Sequence, residues 1–73
     1  MGVKSGVPDL MLPIPAGGYH GLFVEMKTKN GRLSEAQKRW INALNDLGYL
    51  AVTAYGWEDA KCRITDYLQL LKT

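Results

Sequence analysis

A single cysteine, Cys62, is all that this chain of 73 residues offers for cross-linking, so no intramolecular disulfide can form. A chain this short makes one domain, taken as residues 1–73, and buries only roughly 60% of the surface its unfolded state exposes. Without a disulfide, so thin a core calls for a metal or a partner subunit. Cys62 itself reads as a small packed residue on a helix, because free cysteine is among the most buried residue types. A lone cysteine also suits a reducing compartment. No apolar run approaches the ~20 residues of a membrane span, and no positive-then-apolar leader opens the chain. A cytoplasmic protein with no membrane contact is the expectation.

The pattern along the chain predicts the order β-β-α-β-α. Leu10–Ile14 is an apolar run long enough for a strand, although Pro13 and Pro15 limit its pairing. Ala16-Gly17-Gly18 is a loop, and Gly21–Lys27 is a second strand that pairs back on the first as a hairpin. Ser34-Glu35-Ala36-Gln37 fits a capping box, in which serine and glutamine each satisfy an orphan backbone N–H. The helix that follows has an apolar stripe of Ala36, Trp40, Ile41, Leu44 and Leu47, and Gly48 stands where it should end. Tyr49–Tyr55 is the third strand. A second helix runs from about Trp57 to Leu71, with Ala60, Ile64, Tyr67, Leu68 and Leu71 as its buried stripe. No repeat or linker is apparent. These elements make a small α/β domain with a mixed sheet flanked by helices.

Three residues carry the chemistry. Glu25 and Lys27 are two apart on a strand, so they share a face, while Val24 and Met26 point the other way toward a core. With the hairpin centred near Gly17, Asp9 falls opposite Glu25. Two carboxylates that close repel each other unless something neutralises them. A divalent cation does so, and hard oxygen donors suit Mg²⁺ or Mn²⁺. The net charge of +2 is unevenly spread. Residues 1–41 hold six basic against three acidic side chains, a balance of +3. Residues 42–73 hold three against four, a balance of −1. The positive part surrounds the candidate site, as a polyanion would select. Lys4, Lys29, Arg32 and Lys38 are the candidates for contacting DNA phosphates.

The order Pro8-Asp9, then Glu25-Met26-Lys27, is the pattern of the PD-(D/E)xK nucleases. The finer text resembles one branch, the VRR-NUC (virus-type replication-repair nuclease) family, in Gly6-Val7-Pro8-Asp9-Leu10, Phe23-Val24-Glu25-Met26-Lys27 and Gly31-Arg32-Leu33-Ser34-Glu35-Ala36-Gln37. The resemblance implies a minimal core of restriction-endonuclease type and a metal-dependent DNA endonuclease. Its substrates would be branched DNA, including four-way (Holliday) junctions, cut by a homodimer in a bacterial or phage-infected cell. Asp9 and Glu25 would hold the metal, together with the backbone carbonyl of Met26. Lys27 would position or deprotonate the attacking water. Gln37 would reach from the helix start toward the site, with Ser34 nearby. Members of the family usually place a helix with a glutamate ahead of the G-V-P-D segment. Seven residues precede Pro8 here, so a partner would supply that helix, or the chain is a trimmed or minimal form.

Each residue also has a plainer reading. Asp9 alone is a turn residue after proline, and Glu25 alone a solvated strand residue. With Lys27, these would make a surface ion pair worth at most ~1 kcal/mol. Capping alone explains Ser34 and Gln37, and one side-chain amide is not expected to cap the helix and reach the site together. His20 reads as an exposed loop residue, with no second ligand at zinc spacing. Trp40 reads as core. Tyr55 and Trp57 read as core or interface rather than as base-stacking residues. Two further functions stay open: a non-catalytic DNA-binding module, and a protein-interaction subunit built on the helix stripes.

Overall fold

The computed structural model describes residues 6–72, so Lys4 lies outside the described residues. The chain reverses at Ala16-Gly17-Gly18-Tyr19, where Ala16 and Tyr19 exchange both backbone hydrogen bonds (3.1 and 2.9 Å). Both central residues have positive φ, 58° and 88°, as a tight hairpin turn requires and as glycine alone adopts without strain. Strand β1, Leu10–Leu12, enters this turn and β2, Leu22–Lys27, leaves it. The pairing is antiparallel, with Leu10 opposite Val24 and Leu12 opposite Leu22. Between Leu12–Leu22 and Ala16–Tyr19, three residues, Pro13-Ile14-Pro15, stand against two, His20-Gly21. This is a bulge of one residue. It ends β1 at Leu12, earlier than the apolar run to Ile14 suggested, because neither proline has an N–H to continue the ladder. The hydroxyl of Tyr67 donates to the Ile14 carbonyl at 2.6 Å and holds the bulge in place.

Helix α1, Glu35–Asp46, carries the chain across the sheet to β3, Leu50–Tyr55, which pairs parallel with β2. Helix α2, Trp57–Gln69, follows and tightens into a 3₁₀ turn at Leu70–Lys72. The sheet order is β1-β2-β3, so β2 is central. This is the β-β-α-β-α order and mixed sheet expected. Among the described residues no helix is long and apolar enough to cross a membrane.

The period of two splits the sheet into two faces. Leu12, Leu22, Val24, Met26, Leu50, Val52 and Ala54 meet Ala60, Ile64 and Tyr67 of α2, and this is the main core. Burying Leu22 or Val24 contributes about 1.5–3 kcal/mol each. The opposite face carries Phe23, Glu25, Lys27, Ala51, Thr53 and Tyr55, with α1 packed over β3 through buried Leu44 and Ala51. Asn45 fixes α1 to the start of β3. Its carboxamide accepts from Ala51 N–H (3.0 Å) and donates to the carbonyls of Ala51 (3.2 Å) and Ile41 (2.9 Å).

Some residues expected inside are outside. Leu47 is 66% exposed and Leu71 is also exposed: Leu47 caps the end of α1 and Leu71 lies in the 3₁₀ turn after α2, each past the last residue of its helix. Trp40 is half-buried. Cys62 is exposed. It stands two residues after Ala60, and thus on the opposite side of α2 from the Ala60, Ile64, Tyr67 stripe.

Candidate active site

The bulge sets the geometry of the site. Continuing the register Leu10–Val24 by one residue places Asp9 beside Glu25. Asp9 lies just beyond the paired segment of β1, and its Oδ2 accepts a hydrogen bond from Met26 N–H at 2.8 Å. In a strand the N–H and C=O of one residue point to the same edge. The Met26 carbonyl is therefore directed toward the edge that Asp9 occupies. The Lys27 carbonyl points the other way and accepts from Gly56 N–H (3.0 Å).

Glu25 is only 3% exposed, unlike the solvated strand residue of the plainer reading. Its Oε2 accepts from Gln37 Nε2 at 2.9 Å and lies 4.0 Å from Lys27 Nζ. Its Oε1 is buried without a partner among the described residues. Burial pushes the Glu25 carboxyl above its ordinary value. The Asp9 charge raises it further, against the lowering effect of Lys27. The fold thus holds a desolvated acid with one oxygen unmatched, an arrangement that costs stability without a compensating cation.

Ser34 and Gln37 cap α1 as expected. Gln37 N–H donates to Ser34 Oγ (3.1 Å), and Ser34 N–H donates to Gln37 Oε1 (2.8 Å). The same carboxamide also donates to Glu25. The expected competition between capping and reaching the site is absent, because the two roles use opposite ends of the amide. Each partner fixes the orientation of the other: the oxygen must face an N–H and the nitrogen must face a carboxylate.

In the sequence Gly6 stood only as the first residue of the G-V-P-D segment, with no contact assigned to it. It has φ of 92°, and a Cβ there would stand 2.7 Å from the Ala36 carbonyl carbon and 2.9 Å from Gln37 N. The G-V-P-D segment therefore lies directly on the first turn of α1, which only glycine permits. The signal was the glycine itself, three residues before Asp9.

The donor set fits a hard divalent cation. Asp9, Glu25 with its unmatched Oε1, and the Met26 carbonyl offer oxygens at one edge. No group of three or more His, Cys, Asp or Glu side chains is gathered among the described residues, so the set does not suit an all-side-chain cage for a softer metal. Lys29 and Arg32 are exposed in the segment after β2. Lys38 is exposed and pairs with Glu35 (3.3 Å). His20 is exposed, with its ring edge-on to Tyr49 (5.5 Å between centroids). Tyr55 and Trp57 are exposed at the β3–α2 junction rather than packed in the core.

The family model of the VRR-NUC domain matches residues 1–58, which include all of these site residues. The chain belongs to the VRR-NUC family. A solved structure of a VRR_NUC domain protein superposes on it with a TM-score of 0.91 at 43% sequence identity. That match covers 94% of this chain and 57% of the other. The Fanconi-associated nuclease 1 homolog of Schizosaccharomyces pombe is 51% identical over 41 residues, which are 56% of this chain and 6% of that protein. The chain thus spans a small part of its curated relative and little more than half of the solved one. Fold and family agree: this is a VRR-NUC domain.

Proposed function

We propose that this VRR-NUC domain is an Mg²⁺- or Mn²⁺-dependent DNA endonuclease, with Asp9, Glu25, Lys27 and Gln37 as its catalytic set. The observation that supports it best is the buried Glu25 carboxylate with an unpartnered oxygen, placed between Asp9 and Lys27. Asp9, Glu25 and the Met26 carbonyl would hold the cation. When bound, the cation supplies Lewis-acid stabilisation of the phosphate and lowers the pKa of the attacking water. Lys27 orients that water, and its ammonium balances the charge that grows on the phosphoryl oxygens. Water oxygen attacks phosphorus and gives up a proton to solvent, one P–O ester bond breaks, and the leaving oxygen takes up a proton from solvent in its place. Gln37 holds Glu25 in place. Lys4, Lys29, Arg32, Ser34 and Lys38 contact the DNA backbone.

The proposal extends to branched DNA cut by a homodimer. The family likeness supports branched substrates. An apolar groove of about 230 Å³ between β1 and α2, lined by Leu10, Met11, Trp57 and Ile64 among others, gives a second copy a surface to bury. The deciding experiment is cleavage of labelled linear, flap and four-way DNA in Mg²⁺, Mn²⁺ and EDTA. Cleavage of the branched forms in either metal and none in EDTA is expected. Binding without cleavage in every metal would leave a non-catalytic DNA-binding module, and neither binding nor cleavage a protein-interaction subunit. Sedimentation across a dilution series tests assembly, and a folded monomer at micromolar concentration refutes the dimer.

A further inference from the structure

Tyr55 is the register partner of Lys27. Partners on adjacent strands share a face, so the Tyr55 ring lies on the face that carries Glu25 and Lys27. It is 47% exposed. Its backbone is clamped: Tyr55 N–H donates to Asp59 Oδ2 (2.8 Å), and Asp59 is in turn paired with Arg63 (3.5 Å). The next N–H, of Gly56, is bound to the Lys27 carbonyl (3.0 Å). Trp57, also exposed, serves a different surface, for it lines the groove between β1 and α2. Of the two aromatics at this junction, only Tyr55 stands beside the proposed catalytic lysine. The start of α2 carries Glu58 and Asp59, which repel a phosphate there. The partner that suits the ring is thus a neutral π-surface close to a phosphodiester.

We propose that Tyr55 is a stacking platform for the base of a nucleotide adjacent to the phosphodiester under attack. This rests on the nuclease reading of the same site. A base inside a duplex has both faces covered by its neighbours, so the ring takes a base that is already unstacked, as at a flap or branch point. Lys27 then meets the phosphate of that nucleotide, and Tyr55 selects a DNA form rather than a base sequence. Because its backbone is clamped, only the two side-chain torsions of Tyr55 remain to be fixed when a base stacks on its ring.

The test uses flap and four-way DNA in which one nucleotide at a time lacks its base, with Ca²⁺ in place of Mg²⁺ so that binding is read without cleavage. The wild-type chain should show one position beside the branch where loss of the base weakens binding roughly tenfold. Tyr55→Ala should bind the intact DNA about as weakly as the wild type binds that abasic DNA, and should lose the sensitivity to it. Tyr55→Phe should keep it, and melting curves should show both variants folded. Unchanged sensitivity in Tyr55→Ala overturns the proposal, as does a wild-type chain with no abasic-sensitive position. Binding that follows the proposal, with no cleavage once Mg²⁺ is restored, would instead count against the nuclease reading alone.

Discussion

Replacing Gln37 by glutamate separates the two jobs of its side chain. The substitution keeps an oxygen facing Ser34 N–H, now held at 2.8 Å. At the other end it replaces the donor that stands 2.9 Å from Glu25 Oε2 with a carboxylate oxygen. The lost hydrogen bond to a charged group contributes about 1.5–3 kcal/mol. Two like charges at about 4 Å with an effective dielectric constant of ~20 repel by roughly 4 kcal/mol, and the pair limits this by retaining a proton. We expect Gln37→Glu to destabilise the metal-free domain by about 2–3 kcal/mol near pH 7. For a domain of this size that is a fall in Tm of at least ~8 °C. The shared proton is bound more tightly in the folded than in the unfolded variant, so the deficit should shrink as pH falls toward the ordinary carboxylate range. Ser34→Ala removes only the cap and should cost about 1 kcal/mol at every pH. Thermal melts of wild type and both variants in EDTA, from pH 4.5 to 8, provide the assay. A Gln37→Glu deficit that matches Ser34→Ala and does not change with pH would refute the contact with Glu25.

Glu25→Gln removes the carboxylate that burial and Asp9 disfavour, so cleavage should be abolished while metal-free stability at pH 7 holds or rises. Because the Glu25 carboxyl is raised in the fold, wild-type stability in EDTA should fall as pH rises from about 4.5 through the raised value, and Glu25→Gln should flatten that slope. Pairs of melts check this, and an unchanged slope would remove Glu25 as its source. Gly6→Ala forces a Cβ against the first turn of α1 at a positive φ, and should cost on the order of 2 kcal/mol. It should also cut activity with Asp9, Glu25 and Gln37 all intact, and near-wild-type melting would show that the approach of this segment to α1 is slack.

The sequence was legible where a residue type has one mechanical use. Ser34 and Gln37 at capping-box spacing placed the start of α1 to the residue. The alternation of Val24 and Met26 with Glu25 and Lys27 assigned the two faces of β2 correctly. What was not legible depended on how far each element reaches across its neighbours. Leu47 and Leu71 continue apolar stripes yet lie past the last residues of α1 and α2, and Cys62 lies on the side of α2 away from its stripe. The burial of Glu25 was also hidden, since a strand glutamate beside a lysine is ordinarily solvated. The first turn of α1 brings Gln37 onto Glu25, and Gly6 of the distant G-V-P-D segment packs on that same turn.

The placement of Asp9 opposite Glu25 came out right for a reason the sequence pattern did not contain. A hairpin centred on Gly17 pairs residue 9 with residue 25, but the turn is centred between Gly17 and Gly18. A regular ladder from that turn would pair Asp9 with Met26 and turn the Asp9 side chain toward the α2 core, because a slip of one residue exchanges the two faces. The extra residue in Pro13-Ile14-Pro15 cancels the slip. The two prolines are therefore more than the end of a short strand, since they stop the ladder where the bulge must form. Tyr67, buried in the core, completes the arrangement through its hydrogen bond to the Ile14 carbonyl. A tyrosine on the last helix thus helps to fix which face of the sheet the first carboxylate joins. In a chain with so little core, the site and the packing depend on the same few contacts.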